Sequence, residues 1–506
     1  MRFALLFLAV IVSLTLSAQT LYAATFYVAT SGVDQASSGT LQNPWASISY
    51  AVDQVSDGDT IEVAAGTYSS RVRLDQQFAN GIVIRSTQPY QARLRYDDGA
   101  VVICYTCQGV VLEGFDIAHA GGNNGALVVH IQDLLGAFNG SNNGSDAVVS
   151  NVTLRNNIIH DSTNNDLLKI NNGAQDILVE GNMFYNQAGS DEHIDVNSTV
   201  GVTIQDNVFF NSTSQAITSS FIVIKDSNGA NDTVLGTQDT LVRRNIFFNW
   251  QGNDAQSFIR IGEDGTANFE ADGVLVENNL FLGNSNRLMR SAFTVQGSRD
   301  VRFQYNTITG NLPSRSYAAR LLAVGPNQPN EQIVLVNNIW ADPGGTMGAE
   351  GFNGSDVFDA TAEDNASVSV DNNVYYNGVN SIPADATQAV NLADDVNAII
   401  GNPLLPTLIG LTLPVFNGSQ FAGGKSSIRE VFIDFANRYG KPAIASVAIN
   451  QGSLTNAPGD DLLGNIRGSS PDVGALELTS SEPPFINDDM CFPVTASSSA
   501  TVIVCL

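Results

Sequence analysis

Across residues 110–373 the chain repeats one short pattern of apolar and polar positions. The segments Val152-Thr-Leu-Arg-Asn-Asn157, Ile177-Leu-Val-Glu-Gly-Asn182 and Val202-Thr-Ile-Gln-Asp-Asn207 align without gaps. The pattern returns at 240–245, 274–279, 301–306, 333–338 and 368–373, and a weaker copy lacking the Asn starts at Val110. Apolar and polar residues alternate before each Asn, the period of a strand with one buried face, and a large apolar residue stands two positions after it. A second short strand follows in each unit, as at 221–224 and 258–261. A unit this small cannot bury its apolar face alone, so stacked copies must share one continuous core. An Asn at a fixed register then has a specific use: its amide bonds the amide one rung away and satisfies a tight turn. The pattern predicts an all-β, right-handed parallel β-helix.

The ends predict caps. Asn43 followed by Pro44 reads as an N-cap with Pro at the first helical position, and Ile48, Ala51, Val52 and Val55 form an apolar stripe for a helix that plugs the open end of the core. Ser427 and Glu430 suit a capping box, and Ile428, Val431, Phe432 and Phe435 repeat the stripe for a short helix near the C-terminus. Caps are expected because an open strand edge invites aggregation. Met1 and Arg2 lead an apolar run as far as Leu16, followed by Ala18, Ala23 and Ala24, the layout of a cleavable secretory signal over 1–24. A membrane anchor needs roughly 20 apolar residues, and Ser13, Thr15, Ser17 and Gln19 interrupt this run. The expected organisation is a signal at 1–24, a β-helix domain with its caps over 25–480 and a C-terminal tail over 481–506, in an extracellular or periplasmic monomer.

Composition narrows the partners. The 506 residues, 43% hydrophobic and 14% charged, are enough for a large core, and 45 glycines suit many turns. A formal charge of -27 argues against nucleic acid, since phosphate binding needs Lys and Arg to neutralise the backbone. It also opposes a polyanionic ligand unless a local basic row or bound cations offset the field. Four cysteines fit an oxidising compartment. Cys491 and Cys505 are expected to close the tail as a disulfide loop. Cys104 and Cys107 form one CxxC without a βαβ setting or a second pair, which points to buried thiols or a local disulfide instead of redox chemistry or zinc.

Several stretches carry a family likeness. Asn43-Pro44-Trp45, Asp57-Gly58-Asp59-Thr60-Ile61 and Ala65-Gly66-Thr67-Tyr68 resemble the N-terminal portion of bacterial secreted right-handed β-helix proteins, polysaccharide lyases among them. Asp461-Leu-Leu-Gly464-Asn-Ile-Arg467 with Pro471-Asp472-Val-Gly474 is similar to the closing segment of that group. The resemblance implies the fold and a polysaccharide partner; the group also contains hydrolases, epimerases and non-enzymes.

Candidate chemistry lies on the second strand of each rung, whose outward residues stack into a row able to hold an extended polymer. With Ile170, Ile194, Ile224 and Ile261 inward, that row contains Lys169, His193 or Asp195, Lys225 and Arg260, and so two of the chain's four lysines. Ile224-Lys225-Asp226-Ser227 and Phe258-Ile-Arg260-Ile-Gly262 resemble the chondroitinase B and alginate lyase family. That resemblance implies β-elimination on a uronate polysaccharide, with Lys225 as base and Arg260 as acid; the outward row itself places Lys169 and His193 along the substrate. A Lys serves as base near neutral pH when crowding by other cations lowers its basicity. Thr218 and Ser220 stand where the family places two calcium-binding glutamates, and Ile261-Gly262 replaces His-Gly. Glu192 and Asp195, with Asp191, are the alternative oxygen ligands for calcium. They are equally the paired carboxylates of a glycoside hydrolase, and His193 with Asp166 or Asp195 offers an acid–base pair. A non-catalytic polysaccharide-binding solenoid is the third reading. Glu263 and Asp264, flanked by Gly262 and Gly265, read as a turn; Arg71, Arg73, Arg85, Arg93 and Arg95 form a basic N-terminal zone that either binds acidic sugars or, on the favoured reading, balances nearby acids on the first rungs.

Overall fold

In the repeat, strand-forming residues alternate over three short segments per turn of the chain, and each segment pairs with its counterpart one turn later. A computed structural model describes residues 23–121, 125–133, 148–189, 192–213, 220–227, 229, 234–252, 257–285, 287, 289–310, 317–347 and 357–478, together with the backbone of 491–495 and 501–505. Among these, three parallel sheets run the length of the molecule: A and B with 12 strands each and C with 10. One rung consists of Ser150–Arg155 in A, Ile158–His160 in B and Leu168–Asn171 in C, after which Gln175–Glu180 returns to A beside the first strand. The chain is the right-handed parallel β-helix that the repeat predicts, the hand a parallel crossover favours.

Inward residues of successive rungs stack. Val152, Ile177 and Val202 are register partners in sheet A and all are buried. The rings of Phe184, Phe209, Phe247 and Phe281 form a file with centroids 5.0, 4.7 and 4.6 Å apart. Fully burying each such ring contributes on the order of 1.5–3 kcal/mol, and one rung alone offers no such cover.

The asparagines form the expected ladder. Asn157 donates from its backbone N and its Nδ2 to Asn182 Oδ1 at 2.9 and 3.1 Å, and the same pair of bonds links 182 to 207, 207 to 245, 245 to 279, 279 to 306, 306 to 338 and 338 to 373. Asp395 takes the last place, its Oδ2 accepting from Asn373 N at 3.1 Å and Nδ2 at 2.8 Å. The residue before the Asn sits in the left-handed region, as at Asn156, Asp206, Arg244 and Tyr305. The ladder stabilises that otherwise costly corner.

Sheet A's outer face carries an alternating column: Glu62, Arg85, Glu113, Arg155 and Glu180 are successive register partners. Arg85 lies 2.6 Å from Glu62 and Arg155 2.9 Å from Glu113.

Both caps differ from expectation in detail. The N-terminal helix α1 spans Ile48–Gln54 and its cap is Ser47, whose hydroxyl accepts from Tyr50 N; Asn43-Pro44 precede it by a turn. Ile48, Ala51 and Val52 do join the core, as the stripe requires. The C-terminal helix α2, Ile428–Phe435, is capped by Ser427 and buries Ile428, Val431, Phe432 and Phe435. It does not plug the far end. The chain beyond the last rung folds back along the outer face of sheet B, with Phe435 4.6 Å from Phe248 and the Tyr90 hydroxyl bonded to Ile428 N. The physical reason is that sheet B is apolar on both faces: Met183, Val208, Ile246 and Leu280, with Tyr185, Phe210, Phe248 and Leu282, form outward columns that need cover.

The described strands near the C-terminus, Cys491–Thr495 and Thr501–Cys505, pair antiparallel with Cys491 opposite Cys505; the side chains there, and residues 1–22 where a signal is expected, lie outside the described residues. No described helix is long and apolar enough to cross a membrane.

Candidate active site

With much of sheet B covered and sheet A carrying paired surface charges, sheet C is where three buried carboxylates come together. Its outward residues form two columns. His130, Lys169, Asp195, Val223, Arg260 and Thr294 are successive partners in one, and Gln132, Asn171, Asn197 and Lys225 in the next. Lys225 and Arg260 therefore do not share a single row as the sequence suggests. Inward Ile194 lies opposite Ile222, not Ile224, and a slip of two residues preserves strand alternation, so periodicity alone does not reveal it.

The two cations converge nonetheless. Lys225 Nζ is 2.6 Å from Glu263 Oε2, and Arg260 Nη1 is 3.3 Å from Glu263 Oε1. Arg260 also donates through Nε to Gly262 O at 3.0 Å and through Nη2 to Gln296 Oε1 at 2.9 Å. Glu263 and Asp264 do lie in a turn, and the turn is anchored. The fully buried Glu270 accepts the backbone N–H groups of Glu263, Asp264 and Gly265 at 2.6, 2.9 and 2.6 Å. Asp226, equally buried, accepts from Ser198 Oγ, Gly229 N, Gly236 N and Asn268 Nδ2. Neither Glu270 nor Asp226 stands out as a site residue in the sequence. An acid shortly after a glycine-flanked turn was the available signal.

Behind Lys225 lies an acidic triad. Single oxygens of Asp166, Glu192 and Asp195 come within 4.8 Å of one another, and all three residues are buried. Lys169 Nζ bonds Asp195 Oδ2, and Lys225 Nζ stands 3.8 Å from the same oxygen. Burial raises the Glu192 carboxyl well above its ordinary value, reinforced by Asp166, Glu263 and Asp195. For Asp195 burial pulls upward too, but Lys169 and Lys225 outweigh it and hold the carboxyl low. Burial would lower Lys225, yet Asp195, Glu263, Glu192 and Asp264 together raise it. Lys225 does not sit among cations, as a depressed basicity would require, but among carboxylates, which keep its proton on.

The triad suits a hard cation. Three crowded carboxylates are a set of oxygen ligands, and Asp195 Oδ1 is buried without a hydrogen-bond partner among the described residues. Asp191 and Thr218 lie outside the described residues, while Ser220 is buried.

His193 is not on the groove. It is fully buried, its Nε2 3.0 Å from Asn211 Oδ1 and its ring 4.8 Å from Phe221, and burial pushes it down to about 3. The substrate contact and the acid–base pairing expected of it are corrected accordingly: a neutral ring packed in the core reaches neither polymer nor triad. Lys169 does face outward but is committed to Asp195. Of the N-terminal arginines, Arg85 pairs with Glu62 and Arg95 with Asp116, whereas Arg71 bonds backbone carbonyls of Asp98 and Ala100.

No family model and no curated protein matches the sequence. Solved structures do match the backbone. Pectate lyase Pel9A aligns over 90% of this chain and 96% of its own, with a TM-score of 0.53 and 14% identity. A GH136 lacto-N-biosidase from Eubacterium ramulus aligns over 74% and 66%, at 0.49 and 12%, and XylC in complex with xylose over 90% and 98%, at 0.46 and 11%. Such identities speak for the fold and leave the chemistry to the residues. The chain is thus a right-handed parallel β-helix, the fold it shares with pectate lyase Pel9A.

Proposed function

We propose that this chain is a secreted, calcium-dependent lyase that cleaves a uronate polysaccharide by β-elimination. One observation carries the reading: Lys225 and Arg260, on neighbouring strands of the open sheet, share Glu263 directly beside the buried Asp166, Glu192 and Asp195. The similarity to pectate lyase Pel9A supports it at the level of fold.

Asp166, Glu192 and Asp195 would hold the ion. Calcium bound there supplies positive charge that offsets these carboxylates and that of the uronate. In its neutral form, which the charge of a cation held by Asp166, Glu192 and Asp195 would favour by offsetting the carboxylates that otherwise keep its proton on, Lys225 takes the proton from the carbon next to the uronate carboxyl; that bonding pair forms the new double bond as the bond to the leaving oxygen breaks. Arg260, fixed by Gly262, Gln296 and Glu263, donates a hydrogen bond that stabilises the developing charge on the leaving oxygen, which takes its proton from solvent water. Lys169 keeps Asp195 ionised and oriented. The burial of Glu192 and Asp195 counts against their acting directly on a sugar as hydrolase carboxylates.

The test is incubation of purified protein with a panel of polyuronates, with calcium or with chelator. Ultraviolet absorbance from an unsaturated product, abolished by chelator and in Lys225→Ala, is the expected result. Reducing ends without that absorbance would establish a hydrolase instead. Retention of polymer on an affinity gel without cleavage would establish a binding protein.

A further inference from the structure

The lyase reading leaves one sequence feature unused, the isolated Cys104-Tyr105-Thr106-Cys107. In the structure the two cysteines are joined as a disulfide, and Tyr105 lies inside the loop they close. The loop is pinned to the preceding rung: Asp75 Oδ1 accepts Tyr105 N at 3.0 Å, and Gln77 Nε2 donates to Thr106 O at 2.7 Å. It stands at the N-terminal end of the open face, because Ile103 partners His130, and His130 partners Lys169.

Tyr105 heads a hydrogen-bonded file whose direction the partners fix. Asn171 Nδ2 donates to Asn172 Oδ1, so its Oδ1 faces His130 Nε2, 3.0 Å away, and accepts from it. Burial pushes His130 down to about 4, so the ring is neutral and carries its one proton on Nε2. Its Nδ1 is then the acceptor for the Tyr105 hydroxyl at 3.0 Å. The phenol oxygen has spent its proton and retains acceptor capacity on a half-exposed side chain. Arg73, whose side chain is 56% exposed, stands on the adjacent strand as the partner of Ile103, with Asp75 at 3.6 Å as its ion-pair partner among the described residues. A hydroxyl acceptor beside a solvent-facing guanidinium matches one unit of an acidic glycan.

We propose that Tyr105, His130 and Asn171, with Arg73, form a saccharide subsite that takes a uronate unit remote from the scissile bond: a sugar hydroxyl donates to Tyr105 Oη and the carboxylate meets Arg73. The proposal rests on the polysaccharide reading above. Tyr105 stands four strands before Lys225 in sheet C, through β-strands at 129–132, 168–171 and 194–197, or about 19 Å at ~4.8 Å per strand. Only a chain of several units reaches both. The disulfide keeps the acceptor in place.

The experiment is calorimetric titration of the full-length protein, in calcium, with tetragalacturonate and decagalacturonate. Wild type should bind the decamer more tightly, and in Tyr105→Phe that advantage should shrink about three- to tenfold, the value of one hydrogen bond. The paired variant Cys104→Ser/Cys107→Ser should shrink it similarly. An unchanged ratio in Tyr105→Phe, or equal weakening of both oligomers, overturns the subsite. The lyase reading fails on a different readout, the absence of any unsaturated product from wild type, so the two failures are distinguishable.

Discussion

Sheets A and C both present charge to solvent, but in opposite ways. On sheet A the column Glu62, Arg85, Glu113, Arg155, Glu180 alternates sign rung by rung, each cation meeting a carboxylate on a partly exposed surface. On sheet C the charges are clustered and drawn inward: three buried carboxylates lie in one group and two lysines crowd a single oxygen of Asp195. Alternation sets register and costs little, since exposed pairs are each worth about 0–1 kcal/mol. Crowding buried like charges is costly for folding and is retained where it serves chemistry. The contrast separates scaffold from site more sharply than residue type does.

Four measurements would break or sharpen that contrast. Lys225→Ala should lower kcat by about 10²–10⁴, the usual contribution of a positioned proton acceptor, as read by formation of unsaturated product. Retained turnover would put sheet C in the same class as sheet A. Calcium at about a hundredfold its dissociation constant should add about 2.7 kcal/mol to unfolding stability, seen as a rise in Tm that chelator reverses; no shift would mean the triad holds no ion.

Glu192→Gln tests the crowding itself. Glu192 is raised in the folded state by burial and neighbouring acids, so its contribution to metal-free stability is present below its ordinary value near 4.5 and is lost as pH rises through the raised folded value. The variant lacks that loss. Without metal it should melt above wild type at neutral pH, with the difference shrinking towards pH 4, and it should bind calcium less tightly. Equal pH profiles would show that the carboxylates do not strain one another. Last, Arg155→Ala on sheet A should cost at most about 1 kcal/mol and leave kcat as in wild type; a large loss there would erase the distinction.

The fold was largely legible because each of its devices leaves a periodic mark. Asn157, Asn182 and Asn207 recur at one register, and the ladder between them is what the recurrence means. The site was legible only by composition. Lys169, Lys225, Arg260, Glu192 and Asp195 do gather, yet the offset of Lys225 into a second column depends on a two-residue register that alternation leaves free. His193 was misplaced because a strand edge does not declare which neighbours close over it. The course of α2 was hidden for a related reason: an apolar stripe states that a helix is covered and not by what. The matching signal lay elsewhere, in the uninterrupted triplets Met183-Phe184-Tyr185 and Val208-Phe209-Phe210, strands buried on both faces.

The asparagine ladder has one further property, which concerns how such a molecule can change length. Every internal Asn both receives from the rung before and gives to the rung after, so the series has no preferred number of members. A unit as short as the 25 residues separating Asn182 from Asn207 can be duplicated between them with each bond type restored. Asp395 is different, since its side chain accepts from Asn373 and has no amide N–H to pass on. Behind it no further amide can be appended by the same rule. Growth by copying is therefore open within the stack and closed at its end, and the span of sheet C is the quantity that such copying would adjust.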